Sequence, residues 1–358
     1  MQQLGRCPTQ SCRNVRLTGG VVGTSTVRIN RRRRSAQKIR CSENGNSGSR
    51  GSTTVHKLLE EDGVLLVPGC YDALSAKILA QAGHKAAFLS GYAVSATLLG
   101  EPDIGLLTPP EMSRKAGQIC YAVPSVPILA DADTGGGNVL NVQRTIRQLI
   151  AAGCKGCFLE DQEWPKRAGH VRGNEVISME EHAAKVYAAR QAIGDSDFFL
   201  VARTDARGLS AKHGLDDSIT RANLYMDAGA DASFVGAARS IEELEEIGKR
   251  TKGYRCCNML EGGLAPMRTP AQLKEIGIQI VVHPLAGLFA AGKAMKKVYG
   301  SLMQDGTTSG FSEDMLSFED FGALIGFEEK MELEESLTRS DRDGKLRVKV
   351  KGPTKPTA

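Results

Sequence analysis

The chain has 358 residues, 41% of them hydrophobic and 24% charged, a globular balance that excludes a collagen-like or wholly disordered protein. Its net charge of +5 is unevenly placed: residues 1–42 hold ten Arg or Lys and no acid, and removing those ten from the 46 Lys+Arg leaves 36 against 41 Asp+Glu. The body is therefore mildly acidic, which removes the electrostatic reason to expect nucleic-acid binding, and no stretch approaches the roughly 20 apolar residues of a membrane span.

Residues 1–51 are rich in Arg, Ser, Thr and Gly and show neither helical nor strand periodicity. An acid-free, Arg-rich N-terminus without a continuous apolar core reads as an organelle transit peptide rather than a secretory signal. Ile39-Arg40-Cys41-Ser42 is similar to a plastid processing site, so plastid is preferred over mitochondrion, with residues 1 to about 41 removed. Arg31–Arg34 also fits a nuclear or RNA-binding patch, but that reading leaves the absence of acids unexplained.

From residue 64 onward, short apolar runs alternate with amphipathic stretches. The runs are Val64–Val67, Ala86–Leu89, Pro127–Ala130, Gly156–Leu159, Phe198–Ala202, Ala232–Val235, Tyr254–Met259 and Gln279–Val282. Their apolarity is continuous, as in parallel strands covered on both faces. Helices are predicted over Asn138–Ala152, Ser178–Ile193, Leu215–Ala228 and Ser240–Arg250. Eight units of about 31 residues predict a (β/α)8 barrel over residues 52–339. A doubly wound sheet is the alternative, but the Gly-x-Gly-x-x-Gly turn of its dinucleotide-binding form is missing after the first strand. Further helices are expected over Gly287–Tyr299 and Glu313–Leu337, the second packing outside the barrel on a neighbouring subunit. The charged tail 340–358 reads as disordered. Cys154-x-x-Cys157 has no second pair, so it reads as small buried hydrophobes rather than a zinc site.

Barrel chemistry gathers at the C-terminal ends of strands. There the chain places Asp131-Ala132-Asp133, Glu160-Asp161-Gln162 and Arg203-Thr204-Asp205, with Glu101-Pro102-Asp103 after the second strand. Like charges at one mouth require a proton, an Arg or a divalent cation, and hard oxygen ligands favour Mg²⁺ over zinc. Asp133 alone has a competing reading as a cap of the next helix. Arg203 is the expected anchor of a substrate carboxylate or phosphonate, or an internal partner of Glu160 or Asp205. Ser90-Gly91-Tyr92 offers backbone N–H groups to an anion, and Asn258 lines the pocket or is a satisfied barrel polar group. The basic loop Trp164–Gly173 reads as a lid carrying cations over an anionic substrate.

Taken together, the Asp131–Asn138, Leu159–Gln162, Lys166–His170 and Val201–Ala206 segments resemble the phosphoenolpyruvate mutase/isocitrate lyase superfamily, and Pro68–Ala76 and Phe88–Tyr92 extend the resemblance. It is strongest to the plant plastid phosphonomutases of that superfamily. The resemblance implies a barrel with its last helix swapped between subunits of a homotetramer. It implies Mg²⁺ bound directly by Asp131, with Asp103, Asp133 and Glu160 acting through water. A 2-oxo acid carboxylate would lie on Ser90, Gly91, Tyr92 and Arg203, with Lys166, His170 and Arg203 catalytic and Asn258 in the substrate pocket. The implied chemistry makes or breaks a bond beside a pyruvate-type enolate.

Two positions depart from the pattern. The lid cysteine that gives lyases their proton is Ala168, and the Phe-Val-Glu that ends strand six in many relatives is Phe234-Val235-Gly236. Without the thiol, the expectation tilts toward P–C chemistry. The alternatives are a C–C lyase or decarboxylase acting on oxaloacetate or substituted malates, and a catalytically silent relative.

Overall fold

The computed structural model describes residues 52–167 and 175–338; the N-terminal segment, Ala168 and His170 of the loop after the fourth strand, and the C-terminal tail lie outside the described residues. Eight parallel strands close in chain order: β1 (Leu65–Cys70), β2 (Ala87–Leu89), β3 (Ile128–Asp131), β4 (Gly156–Glu160), β5 (Phe199–Thr204), β6 (Ala232–Val235), β7 (Tyr254–Asn258) and β8 (Ile280–His283). Pairing of β1 with β8, Leu65 opposite Ile280, shuts the ring. This is the (β/α)8 barrel expected from the sequence. Five of the strands, β1, β3, β4, β5 and β8, run further at their C-terminal ends than the apolar runs, because the ladder needs only backbone groups and admits Asp131, Glu160 and Arg203.

The helices are α1 (Thr54–Asp62), α2 (Ala73–Gln81), α3 (Gly91–Val94), α4 (Pro109–Ala122), α5 (Val139–Ala151), α6 (Met179–Ile193), α7 (Gly214–Asp227), α8 (Ile241–Arg250), α9 (Pro270–Glu275), α10 (Ala286–Asp305), α11 (Phe318–Ile325) and α12 (Phe327–Thr338). The four predicted helices match α5 to α8 within a residue or so at each end. Asn138 caps α5, its Oδ1 accepting from the N–H groups of Leu140 (2.9 Å) and Asn141 (3.3 Å), so Asp133 is not the cap.

Side-chain alternation decides what the barrel encloses. Leu65, Val67, Phe88, Leu129, Phe158, Phe199, Val201, Phe234, Cys256, Ile280 and Val282 belong to one buried cluster inside the barrel, while Ile128, Ala130, Cys157, Leu159, Leu200 and Ala202 pack outward against the helices. Phe88, Phe158 and Phe234 meet edge to face, with centroids 4.8 and 6.1 Å apart. The N-terminal end is stoppered by α1, whose Val55 and Leu59 join the interior cluster. The Thr54 N–H and Oγ1 both donate to Asp197 at 2.7 Å, just before β5. Cys154 and Cys157 are both buried in the outer core.

The single helix expected over Glu313–Leu337 is broken. A 3-10 turn (Ser309–Asp314) precedes α11, and Gly326 at φ 80° separates α11 from α12. That left-handed backbone ends a helix and is costly for any residue with a Cβ. α11 rests on α2 of its own chain, where Lys77 Nζ donates to the Ile325 carbonyl (2.9 Å) and Gln81 Nε2 to that of Leu324 (3.0 Å).

Candidate active site

One layer above the aromatic side chains, the alternation turns the same faces polar. Two positions beyond Phe88, Leu129, Phe158, Val201 and Cys256 stand Ser90, Asp131, Glu160, Arg203 and Asn258. Period-two geometry therefore sends these side chains to the C-terminal mouth. Two positions beyond Phe234, the corresponding residue is Gly236, which has no side chain.

Lys166, 3% exposed, lies among the acids. Its Nζ is 2.8 and 2.9 Å from the two oxygens of Asp103 and 2.6 Å from Asp133 Oδ1. The last contact is short but misaligned for a hydrogen bond, and Asp133 Oδ1 is otherwise unpartnered. Asp131 is held by backbone: Oδ1 accepts from the Asp133 N–H (3.1 Å) and Oδ2 from that of Gly91 (3.3 Å). Glu160 Oε2 is 3.3 Å from Arg203 Nη1, while the buried Oε1 has no hydrogen-bond partner. Asp133 itself adopts φ 48°, a strained conformation for a residue with a Cβ.

Burial and the neighbouring carboxylates Asp131 and Asp103 push the Asp133 carboxyl up to about 7 against the opposing pull of Lys166. Burial likewise raises Glu160 well above the usual range, despite Arg203 and Lys166. For Lys166 burial opposes the charge, but Asp133, Asp131, Glu160 and Asp103 outweigh it and hold the ammonium protonated. Among the described residues, Asp103, Asp131, Asp133, Glu160 and Asp205 share Lys166 and Arg203 as their cations, so acids outnumber them there.

Arg203 makes both internal pairs that the sequence offered as its alternative role, with Glu160 and with Asp205. Its Nη2 and Nε both reach Asp205 Oδ1, at 2.9 and 3.3 Å, and the guanidinium lies 5.2 Å from the centroid of the Phe234 ring. Burial opposes its charge, and Asp205 and Glu160 more than compensate. Internal pairing and a substrate-facing position therefore coexist. Asp205 is fixed in turn: Oδ2 accepts from Gln162 Nε2 (3.2 Å), and its N–H donates to Asp161 Oδ1 (3.0 Å). Asp161 Oδ2 accepts from Tyr225 Oη (2.8 Å) and Arg221 Nη1 (3.2 Å) on α7. The four-residue spacing of Arg221 and Tyr225 was the only signal in the sequence for this support. Gln162 Oε1 also accepts from the Arg167 N–H (2.9 Å), and the base of the loop closes through Glu163 N–H to Glu175 O and Ile177 N–H to Asp161 O, both 2.9 Å.

A cavity of about 70 Å³ opens at this mouth, and Ser90, Tyr92, Asp103, Asp131, Glu160, Lys166, Arg203 and Asn258 all line it. Asp133 and Gly91 join through Lys166 and Asp131. His170 lies outside the described residues. The backbone cradle is narrower than expected, because the Ser90 N–H is engaged by the Cys70 carbonyl (3.3 Å) and that of Gly91 by Asp131. Phe88, Phe158, Phe234, Leu260, Pro284 and Leu285 complete the wall and were not anticipated, since apolar lining has no signature apart from core.

Among the described residues, no three His, Cys, Asp or Glu side chains are arranged to hold a metal ion as they stand. Their chemistry nevertheless suits one. The donors are hard carboxylate oxygens, Glu160 Oε1 is orphaned, and burial holds two of the carboxyls toward their neutral forms. Hard oxygen donors of this kind suit Mg²⁺ better than zinc.

Residues 55–303 match the sequence profile described as phosphoenolpyruvate phosphomutase. The chloroplastic carboxyvinyl-carboxyphosphonate phosphorylmutase of Arabidopsis thaliana is 59% identical over 289 residues, 81% of this chain and 85% of that protein. The 2,3-dimethylmalate lyase of Eubacterium barkeri is 40% identical over 280 residues, 78% and 96% of the two chains. A crystal structure of phosphonopyruvate hydrolase in complex with oxalate and Mg²⁺ superposes with a TM-score of 0.67 at 28% identity, covering 76% of this chain and 93% of the other.

Proposed function

This chain belongs to the phosphoenolpyruvate phosphomutase family of phosphomutases and lyases, and from that membership we propose a Mg²⁺-dependent phosphonomutase that forms or breaks a P–C bond beside a pyruvate-type enolate. One observation carries the reading: a buried ring of carboxylates, outnumbering the described cations Lys166 and Arg203, lines with them a single cavity sized for a small acid. Asp131, Asp103, Asp133 and Glu160 would hold the ion, which supplies Lewis-acid stabilisation of developing enolate charge when bound.

Arg203, aligned by Asp205 and backed by Phe234, orients the substrate carboxylate on the side away from Asp205. The Ser90 hydroxyl, whose oxygen caps α3 by accepting from the Ala93 N–H (3.3 Å), has its own proton available to that carboxylate. Lys166 holds a buried positive charge against the acids, available to a phosphoryl or carboxylate group entering above Asp103. The Phe88, Phe158 and Phe234 floor excludes water beneath the reacting carbon. Transfer of a phosphoryl group relies on such positioning more than on a thiol acid, which fits Ala168.

Turnover of carboxyphosphonoenolpyruvate, oxaloacetate and alkylmalates, each with Mg²⁺ and with EDTA, tests the reading. Metal-dependent turnover of the phosphonate alone supports it. Cleavage of oxaloacetate or a malate alone assigns C–C lyase chemistry instead, and silence with all three leaves a binding relative.

Two further proposals accompany it. The acid-free residues 1–42 and the chloroplastic relative support plastid import, testable by fluorescent fusion of residues 1–51. Phe318, 97% exposed, and the exposed Met303, Phe327, Leu333 and Leu337 leave the C-terminal helices with apolar side chains that a second copy of the chain would cover, and analytical ultracentrifugation reads the stoichiometry.

A further inference from the structure

In the outer core, Cys154 lies among three other thiols, each near enough to act on its charge: Cys70 of β1, Cys120 in the last turn of α4 and Cys157 of β4. They do not make a metal site, because among the described residues no three His, Cys, Asp or Glu side chains are arranged to hold an ion. Thiol chemistry is what remains.

The four are not equivalent. Cys70 and Cys157 are fully buried, and burial pushes the Cys70 thiol up to about 12 and that of Cys157 higher still. Buried neutral thiols of this kind are inert. Of the six cysteines among the described residues, Cys120 alone is only half-buried, and the adjoining Tyr121 is 89% exposed, so this side of α4 is open to solvent. A hydrogen bond from Cys154, helped by Lys155, lowers the Cys120 thiol from its ordinary value despite partial burial. The same hydrogen bond, with burial, raises Cys154 well above its own. Cys154 is therefore the S–H donor and Cys120 the sulfur that becomes a thiolate.

Gly153 permits the approach. Its backbone stands at φ 96°, and a Cβ there would lie 3.2 Å from Cys120 Cβ and 3.7 Å from Cys120 Sγ. The turn that carries Cys154 is pinned: the Gly153 N–H donates to the Ile150 carbonyl (3.0 Å), that of Cys154 to Leu149 (3.1 Å) and that of Lys155 to Ile128 (2.9 Å). A helix end and a fixed turn thus present the two sulfurs to each other. The Cys-x-x-Cys spacing pointed to Cys157 as the partner of Cys154; the fold supplies Cys120 instead.

We propose that Cys120 and Cys154 form a peroxide-sensitive pair, an accessible attacking sulfur backed by a buried resolving one, that closes into a disulfide. The Cys120 thiolate attacks one oxygen of hydrogen peroxide. An S–O bond forms, the O–O bond breaks, and the departing hydroxide takes a proton to leave as water. The Cys154 sulfur then attacks this sulfenic acid. The S–S bond forms, the S–O bond breaks, and the second hydroxide takes the Cys154 proton. Two thiols lose two electrons in all, and one peroxide becomes two waters. The disulfide ties the end of α4 to the turn before β4 and closes a ring that contains β3 and α5. Cys154 precedes the first residue of β4 whereas Glu160 is its last, so the link lies at the barrel end away from the acids. It restricts the unfolded chain and leaves the mouth untouched.

The test treats the full chain with hydrogen peroxide, blocks remaining thiols by alkylation and maps the digested protein by mass spectrometry. A linked Cys120–Cys154 peptide that disappears with dithiothreitol is expected, and mapping separates it from any product of Cys7, Cys12 or Cys41. The oxidised protein should unfold about 3–6 °C higher than the reduced one. Cys120→Ser abolishes both the link and the rise. Cys154→Ala removes the resolving sulfur, so Cys120 accumulates as a sulfenic acid that dimedone captures. A Cys154–Cys157 link, or oxidation of Cys120 to sulfinic acid without a link in the unaltered protein, overturns the pair. An unchanged unfolding midpoint in the linked protein overturns the stabilising role, and a folded Cys154→Ala protein without the dimedone adduct overturns the order of attack.

Discussion

On the β3–β5 side of the barrel mouth, five carboxylates crowd around Lys166 and Arg203, and most contacts are ion pairs of 2.6–3.3 Å. On the β6–β8 side the same ring height carries Gly236, Ala237, Ala238, Leu260 and Pro284, with Asn258 as the polar exception. The first half is rigid, frustrated and chemically demanding; the second is lean and leaves space. The two sides therefore differ in what a substitution removes: a charge with partners on one, space or a single amide on the other.

Removing a charge from the crowded half should have the largest effect. Asp131→Ala is expected to eliminate the calorimetric signal of Mg²⁺ binding and lower turnover by about 10³-fold or more, with the circular dichroism spectrum unchanged. Retained Mg²⁺ affinity would strike Asp131 from the metal set. Lys166→Met strips the one ammonium from Asp103 and Asp133, and leaving buried carboxylates unpaired should cost about 3–5 kcal/mol in urea unfolding without metal. Mg²⁺ should restore more stability to this variant than to the unaltered protein; equal restoration would mean that ion and lysine address different acids.

Behind the charged half, Tyr225→Phe removes one donor to Asp161 and should cost about 1.5–3 kcal/mol. It should also lower kcat by loosening Asp205 and Arg203, and a stability loss without a kcat change would sever that link. The smallest effect expected concerns His182, fully buried against Tyr225 with ring centroids 4.5 Å apart. Burial, then Lys185 and Arg221, depress its pKa to about 3 from 6.5. The unfolded chain therefore binds this proton more readily, so the stability contribution is complete above pH 6.5 and lost progressively as pH falls toward 3. The slope is at most about 1.4 kcal/mol per pH unit, and His182→Leu should flatten it in urea midpoints measured from pH 6.5 to 5.

The strands were legible because parallel barrel strands are apolar on both faces, and eight such runs at even spacing admit few architectures. The acids were legible because carboxylates at strand ends in a barrel have no structural reason to cluster. Other features were not. A break at Gly326 hides within a helical pattern, since glycine alone does not stop a helix. The occupation of Arg203 by Asp205 depends on Gly236, a contact across two strands that no linear spacing reveals. The lysine nearest the acids could be named as one of several loop cations but not placed among them.

From the chain alone came the barrel, the ring of strand-end acids and the family, all consequences of local apolarity and of residue types repeated at strand spacing. Only the folded structure decided which face of each continuously apolar strand points inward. That choice depends on closure of β8 onto β1, and it determines that Asp131, Glu160, Arg203 and Asn258 share one cavity while Gly236 leaves another open beside them.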